Sequence, residues 1–252
     1  MITKAEINLI RSLGDKRNRA KYGVFVVEGI KSISEMSQAG LEMEALYTTT
    51  DGAGKNIKQS EMERISALKS PTEHLALFRI PKQHLNAEQV RSDITLVLDD
   101  VQDPGNLGTI IRLADWFGIK QIVCSPATAD AFNPKTIQST MGAIARVNVY
   151  YTQLDTFFEQ FNDIPCCGTF LDGENIYSAE LPQPAIIVMG NEGNGISDRV
   201  SEFVNKRITI PPYPLQSNTV ESLNVAMATA IVCAEFRRRL KKEAFNLAFN
   251  EK

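Results

Sequence analysis

The segment ITLVLDDVQDPGNLGTIIRLADWFG, residues 94–118, decides the fold. It opens with a near-continuous apolar run, Ile94–Leu98, which leaves no face of the strand for water. Such a strand is covered on both sides, as strands of parallel sheets are. The run ends in Asp99-Asp100, a turn signal follows at Asp103-Pro104-Gly105-Asn106, and a helical apolar pattern runs from Leu107 to Phe117. In open parallel sheets ligands bind beyond the carboxyl ends of the strands, which makes the 99–107 loop a candidate site. Asn106 suits the helix N-cap, and Gly108 lets a backbone or a ligand come close.

Further strands of the same kind read at Gln121–Cys124, Val147–Tyr150, Cys166–Phe170, Ala185–Met189 and Arg207–Ile210. Helical patterns separate them at Pro134–Ala145, Leu154–Phe161 and Ile196–Val204, and a long one runs from about Val220 to Phe245. Towards the N-terminus the order is helix Ala5–Leu13, strand Val24–Val27, helix Lys31–Ala39, strand Ala45–Thr49, helix Glu61–Lys69 and strand Leu75–Ile80. Strands alternating with helices predict an α/β protein. The proline-led stretch 81–93 loses apolar periodicity, so the expected division is a domain at 1–81, a linker at 82–93 and a domain at 94–252.

A chain of 252 residues buries a core without disulfides. Its four cysteines form no CxxC pair, and with two histidines they predict no metal centre and a reduced, cytoplasmic protein. No apolar stretch is long enough to predict a membrane span. The net charge of −3 is a weak argument against a nucleic-acid partner, and its distribution says more. Residues 1–22 carry a basic cluster that includes Lys16, Arg17, Arg19 and Lys21, and a second run stands at Arg237-Arg238-Arg239 and Lys241-Lys242. Each run read alone is a solvated helix face; two in one mildly acidic chain mark a candidate RNA-facing surface.

Two more strand ends do not look like core. IIVMGNEGNGISDRV, 186–200, places three glycines in six residues, with Glu192 in their midst. It is no P-loop, since no GK[ST] follows, and its spacing fails the dinucleotide fingerprint. ITIPPYPLQSNTVESLNVAMATA, 208–230, runs from a strand through prolines into the last helix. Thr219 is the expected N-cap there, which leaves Asn224 polar within an apolar helix and in need of partners.

Taken together, the three segments resemble the signature motifs of the SpoU (TrmH-like) RNA 2′-O-methyltransferases of the SPOUT superfamily. N-x-G-x-x-x-R stands as Asn106, Gly108 and Arg112; G-x-E-G-x-G as Gly190, Glu192, Gly193 and Gly195; and I-P…S-L-N-V as Ile210, Pro211, Ser222, Leu223, Asn224 and Val225. Residues 1–90, above all GVFVVEGIKSISEM (23–36), resemble the ribosomal-protein-like α/β substrate-binding domain that precedes the catalytic domain in many members. The resemblance implies a parallel-sheet domain with a deep trefoil knot, S-adenosyl-L-methionine as cofactor, a homodimer, and an RNA substrate, transfer or ribosomal, with no DNA or membrane partner. It implies that Gly190, Ile210 and Leu223 contact the cofactor and that Asn106, Arg112, Glu192, Ser222 and Asn224 line the catalytic pocket. The segment PYPLQSNTVE, 212–221, departs from the pattern by its length and lack of glycine.

The implied reaction is attack of a ribose 2′-oxygen on a sulfonium methyl, which requires alignment and an outlet for one proton. The family's usual assignment makes the first-motif arginine the proton acceptor. Guanidinium resists deprotonation, so the alternative is that Arg112 grips a phosphate and steadies the forming alkoxide. A non-catalytic RNA-binding protein that keeps the methyltransferase fold is the competing reading.

Overall fold

The structure, a computed structural model, describes residues 1–213 and 222–239. In chain order the elements begin α1 (Lys4–Ser12), α2 (Lys16–Tyr22), β1 (Val24–Glu28), α3 (Ile30–Gln38), β2 (Met43–Thr48), β3 (Lys55–Asn56), α4 (Gln59–Ile65) and β4 (His74–Arg79). They continue α5 (Ala87–Ser92), β5 (Ile94–Leu98), α6 (Pro104–Trp116), β6 (Gln121–Cys124), α7 (Pro134–Thr140), a 3-10 turn (Ala143–Ala145) and β7 (Asn148–Tyr151). The last are α8 (Leu154–Gln160), β8 (Cys166–Asn175), β9 (Ala185–Met189), α9 (Asp198–Ser201), β10 (Lys206–Thr209) and α10 (Val225–Arg238). They form two compact units, each built from several stretches of chain.

The first unit comprises Met1–His84, Asp103–Arg112 and Ala129–Asn148. Its sheet has the order β1-β4-β2-β3, antiparallel at β1–β4 and β4–β2 and parallel at β2–β3. One face of the sheet packs on α1 and α4 through Ile7, Ile10, Leu13, Val24, Val26, Met62 and Leu75. Thr3 and Glu6 cap α1 reciprocally, satisfying donors that the first turn leaves open. Residues 129–148 join this unit through Phe25 against Phe132, ring centroids 4.9 Å apart, and through an ion pair of Arg146 with Glu35.

The second unit comprises Leu85–Gln102, Leu113–Thr128 and the described residues from Val149. Its six-stranded sheet has the order β10-β8-β9-β5-β6-β7, with β10–β8, β8–β9, β9–β5 and β5–β6 all parallel. The central strands β5 and β9 are buried at every position, as their apolar runs require. All four cysteines are buried. Burial pushes the thiols up, Cys166 and Cys233 to about 12 and Cys167 to about 11.

Several elements differ from the sequence reading. The helix expected at Pro134–Ala145 breaks after Thr140, because Met141 and Gly142 are left-handed, with φ of 51° and 92°. The helix expected at Ile196–Val204 is one turn, Asp198–Ser201. Within the expected linker lies α5, whose Val90 is buried in the second unit's core. α2 was not foreseen because KRNRAKY has no apolar stripe; Asp15 caps its start, and Gly23 ends it at φ 68°.

Within the second basic run, Arg237 and Arg239 are tied back onto the protein, while Arg238 pairs with Glu235 and remains 66% exposed. Arg237 donates to both carboxylate oxygens of Asp93, at 2.7 and 3.1 Å, and to the Phe117 carbonyl. Arg238 and Arg239 both bind the buried Glu235, and Arg239 also donates to the carbonyls of Ile176 and Tyr177. Lys241 and Lys242 lie outside the described residues. The Arg238 and Arg239 hydrogen bonds outweigh burial and hold the Glu235 carboxyl at about 2, well below its ordinary 4.5. A carboxylate held low in the folded state stabilises it above the unfolded value, and that stability drains as pH falls towards the folded one. Acid unfolding between these values is therefore expected to be shallower in Glu235→Gln than in wild type, as read by thermal melts over a pH series.

Candidate active site

In the second unit the turns that leave β5 and β9 are bolted to one another. Asp99 is buried, and its Oδ2 accepts the Ser197 N–H at 2.7 Å. Asn191 donates from Nδ2 to the Asp100 carbonyl at 2.7 Å, while its Oδ1 accepts the N–H groups of Gly193 and Asn194. Asp100 takes the left-handed conformation, φ 59°, and its amide donates to Ser125 Oγ. Glu192 is exposed and accepts the Gln102 amide at 3.3 Å. The start of the first sequence segment and the whole of the second thus form one rigid rim. The network of Asp99, Asn191 and Ser197 was missed from sequence, where Asp99-Asp100 read only as a strand end.

The glycines of this rim serve the protein's own backbone first. A Cβ on Gly190 would stand 2.2 Å from the Gly195 carbonyl carbon and 2.3 Å from the Ile196 nitrogen, so no other residue fits. Gly195 itself has φ 70° and open space around its Cβ position.

Ile210 follows β10 and is half-buried; Ser222, Leu223 and Asn224 are exposed just before α10. Asn224 corrects the sequence reading. It is the N-cap of α10, its side chain accepting from the amides of Ala226 and Met227, rather than a buried residue inside a helix begun at Thr219. Thr219 and the rest of 214–221 lie outside the described residues. Asn224→Ala is expected to cost about 1 kcal/mol of stability, a loss measurable by urea unfolding.

In the first unit α6 begins at Pro104, three residues before the expected start. Asp103 does the capping assigned to Asn106: its Oδ1 accepts the Asn106 amide at 2.9 Å, and its Oδ2 pairs with Lys135 Nζ at 2.6 Å. The Lys135 hydrogen bond holds the Asp103 carboxyl below its ordinary range. A Cβ on Gly108 would stand 2.5 Å from Ser139 Cβ and 2.6 Å from the Thr136 carbonyl, so this glycine lets α6 and α7 touch. Arg112 is exposed and makes no hydrogen bond or ion pair with a described residue.

Of the basic residues expected at RNA, Lys16, Arg17 and Lys21 are exposed. Arg19 is not. It is 2% exposed, forms an ion pair with Asp130, and donates to the carbonyls of Leu13 and Gly14 at 2.7 and 3.0 Å. A guanidinium so enclosed has no free fork for phosphate, and its role is to tie α2 to residue 130.

Residues 93–234 match the SpoU rRNA Methylase family model, more than half of the chain. The chain belongs to this family. Residues 4–76 match the MRM3-like substrate binding domain, so the two matched regions flank the segment 77–92. Among relatives of the family, the chain is 29% identical over 242 residues to the 23S rRNA (guanosine(2553)-2'-O)-methyltransferase RlmP of Bacillus subtilis, covering 90% of this chain and 94% of that one. Among solved structures it is 39% identical, with a TM-score of 0.82, to a putative RNA methyltransferase of the TrmH family from Porphyromonas gingivalis, covering 95% of this chain and 99% of that one. An AdoMet-bound rRNA methyltransferase from Sinorhizobium meliloti superimposes with a TM-score of 0.83 at 25% identity, covering 95% and 97%. These matches run through both the N-terminal and the motif-bearing regions.

Proposed function

We propose that the chain transfers a methyl group from S-adenosyl-L-methionine to a ribose 2′-hydroxyl of RNA, with ribosomal RNA as the favoured substrate. The observation that carries the proposal is the family match over 93–234, which contains the anchor residues of all three motifs. The whole-length likeness to a 23S rRNA enzyme supports the choice of substrate.

The residues present suit the cofactor. Gly190 and Ile210 directly follow β9 and β10, and Leu223, 49% exposed, stands just before α10. Apolar surface beside turns rich in backbone groups is what an adenosyl group needs, and no acidic metal cradle is required. S-adenosyl-L-methionine supplies a methyl group activated by its sulfonium centre. Arg112 provides a permanent cation for the RNA phosphate and for charge that develops on the attacking oxygen. The proton leaves to phosphate or water, since guanidinium is a poor acceptor. Glu192 steadies the rim through the Gln102 amide, and Ser222 and Asn224 orient the ribose or Arg112. Asn106 is assigned to catalysis by the same motif resemblance. Lys16, Arg17 and Lys21 contact the RNA backbone.

The functional division at 1–81, 82–93 and 94–252 belongs to the same proposal, as does the trefoil knot. A second copy of the chain is the expected partner, as the family resemblance implies. No helix among the described residues is long and apolar enough to cross a membrane, and a cytoplasmic location is the expectation that goes with this proposal.

Mapping 2′-O-methylation in the host with the gene deleted tests the function. One ribose methyl is expected to vanish from ribosomal RNA and to return with the wild-type gene. An unchanged map of ribosomal and transfer RNA contradicts the proposal.

A further inference from the structure

We propose that a cavity in the first unit takes one unpaired nucleotide of the substrate RNA, distinct from the nucleotide that is methylated. This rests on the methyltransferase reading above and names a contact that none of its motifs include. The cavity has a volume of about 410 Å³ and lies among β1, the loop after α4, and α7. Ligand sites of this kind span roughly 300–1,000 Å³, so it is sized for a single nucleotide and not for a duplex.

Its lining matches a base better than an ion or a lipid. Leu68 is half-buried and offers apolar surface for a ring, and the buried Val26 and Ile137 form the wall behind it. Ser32, Asn133 and Gln138 bring a hydroxyl and two amides, groups that both donate and accept, as the edges of bases demand. The side chains of Ser32 and Gln138 make no hydrogen bond with a described residue. Glu28 also faces the cavity, its two carboxylate oxygens accepting from Ser66 Oγ and the Ala67 amide, so this wall suits the donor edge of a base and not a phosphate.

The electrostatic setting agrees. Gly14 is part of the cavity wall, and the next turn of chain carries Lys16 and Arg17, both exposed, where the flanking phosphates of a strand entering the cavity would pass. Splaying one base out of a loop into a mixed apolar and polar slot is how proteins read single-stranded RNA. The cavity thereby selects among RNAs, while the motif residues act on the ribose.

The test uses the full-length protein and unmodified ribosomal RNA transcribed in vitro. Ser32→Ala/Gln138→Ala is expected to raise KM for that RNA about tenfold, with kcat and the Kd for S-adenosyl-L-methionine unchanged. A second measurement does not depend on turnover. All four native cysteines are buried, so the thiol introduced by Gln138→Cys is the accessible one, and saturating RNA is expected to slow its alkylation by N-ethylmaleimide several-fold. Wild-type transfer with an unmoved KM in the double variant, or a thiol alkylated equally fast with and without RNA, overturns the cavity proposal and leaves the methyltransferase reading intact. RNA that protects the thiol but receives no methyl supports the cavity and counts against the catalytic reading.

Discussion

Arg112→Ala is expected to reduce the rate of methyl transfer by roughly 10²–10³-fold, the usual loss when a preorganised cation or donor is removed from a developing negative charge. Arg112 is exposed and unpaired among the described residues, so its removal is expected to leave stability within about 0.5 kcal/mol of wild type. Affinity for S-adenosyl-L-methionine is expected to hold, because the residues proposed to contact the cofactor are Gly190, Ile210 and Leu223. Arg112→Lys separates the two accounts of this side chain. A cation that grips phosphate and alkoxide survives in part as an ammonium, and kcat is expected to fall less than in the alanine variant. Equal inactivity of both variants would mean that the planar guanidinium fork or true base chemistry is needed. Single-turnover assays with saturating RNA read the chemical step directly.

Arg19→Ala is expected to destabilise the fold by about 2–4 kcal/mol, since it leaves a half-buried carboxylate without its guanidinium partner. The Arg19 side chain is 3% exposed and that of Asp130 16%, so the survivor cannot recover its hydration by a small shift. The carbonyls of Leu13 and Gly14 lose their donor as well. Pairing the change with an apolar partner, Arg19→Met/Asp130→Leu, is expected to recover a large part of the loss, because it removes both desolvated charges together. Urea unfolding of the wild type and the two variants decides this. A loss below about 1 kcal/mol in Arg19→Ala would return the residue to the solvated, RNA-facing set.

What could be read in advance follows from how local each determinant is. The buried strands β5 and β9 were visible because an apolar run is a property of five consecutive residues, and both were placed at their observed bounds. The Gly190 turn was visible for the same reason. Arg19 was not, because its partner Asp130 lies 111 positions away and nothing beside it in the chain marks it as internal. The bolting of Asp99 to Ser197, 98 positions apart, is likewise a product of the sheet that sets β5 beside β9. Asn224 was misread for a different reason. Thr219 competed as a cap, although asparagine directly before the apolar pattern V-A-M-A-T-A was a sufficient signal. The basic run at 237–239 shows that charge in a helix is not evidence of a partner until its counter-charges are known. Here Asp93 pairs with Arg237, and Glu235 is shared by Arg238 and Arg239.

The central claim is tested most directly by incubating the purified protein with S-adenosyl-L-methionine carrying a deuterated methyl and with unmodified ribosomal RNA, then digesting the RNA to nucleosides for mass spectrometry. The account predicts a single nucleoside whose added deuterated methyl fragments with the ribose. Label on a base, or RNA recovered without label from protein that binds both cofactor and RNA, would contradict it.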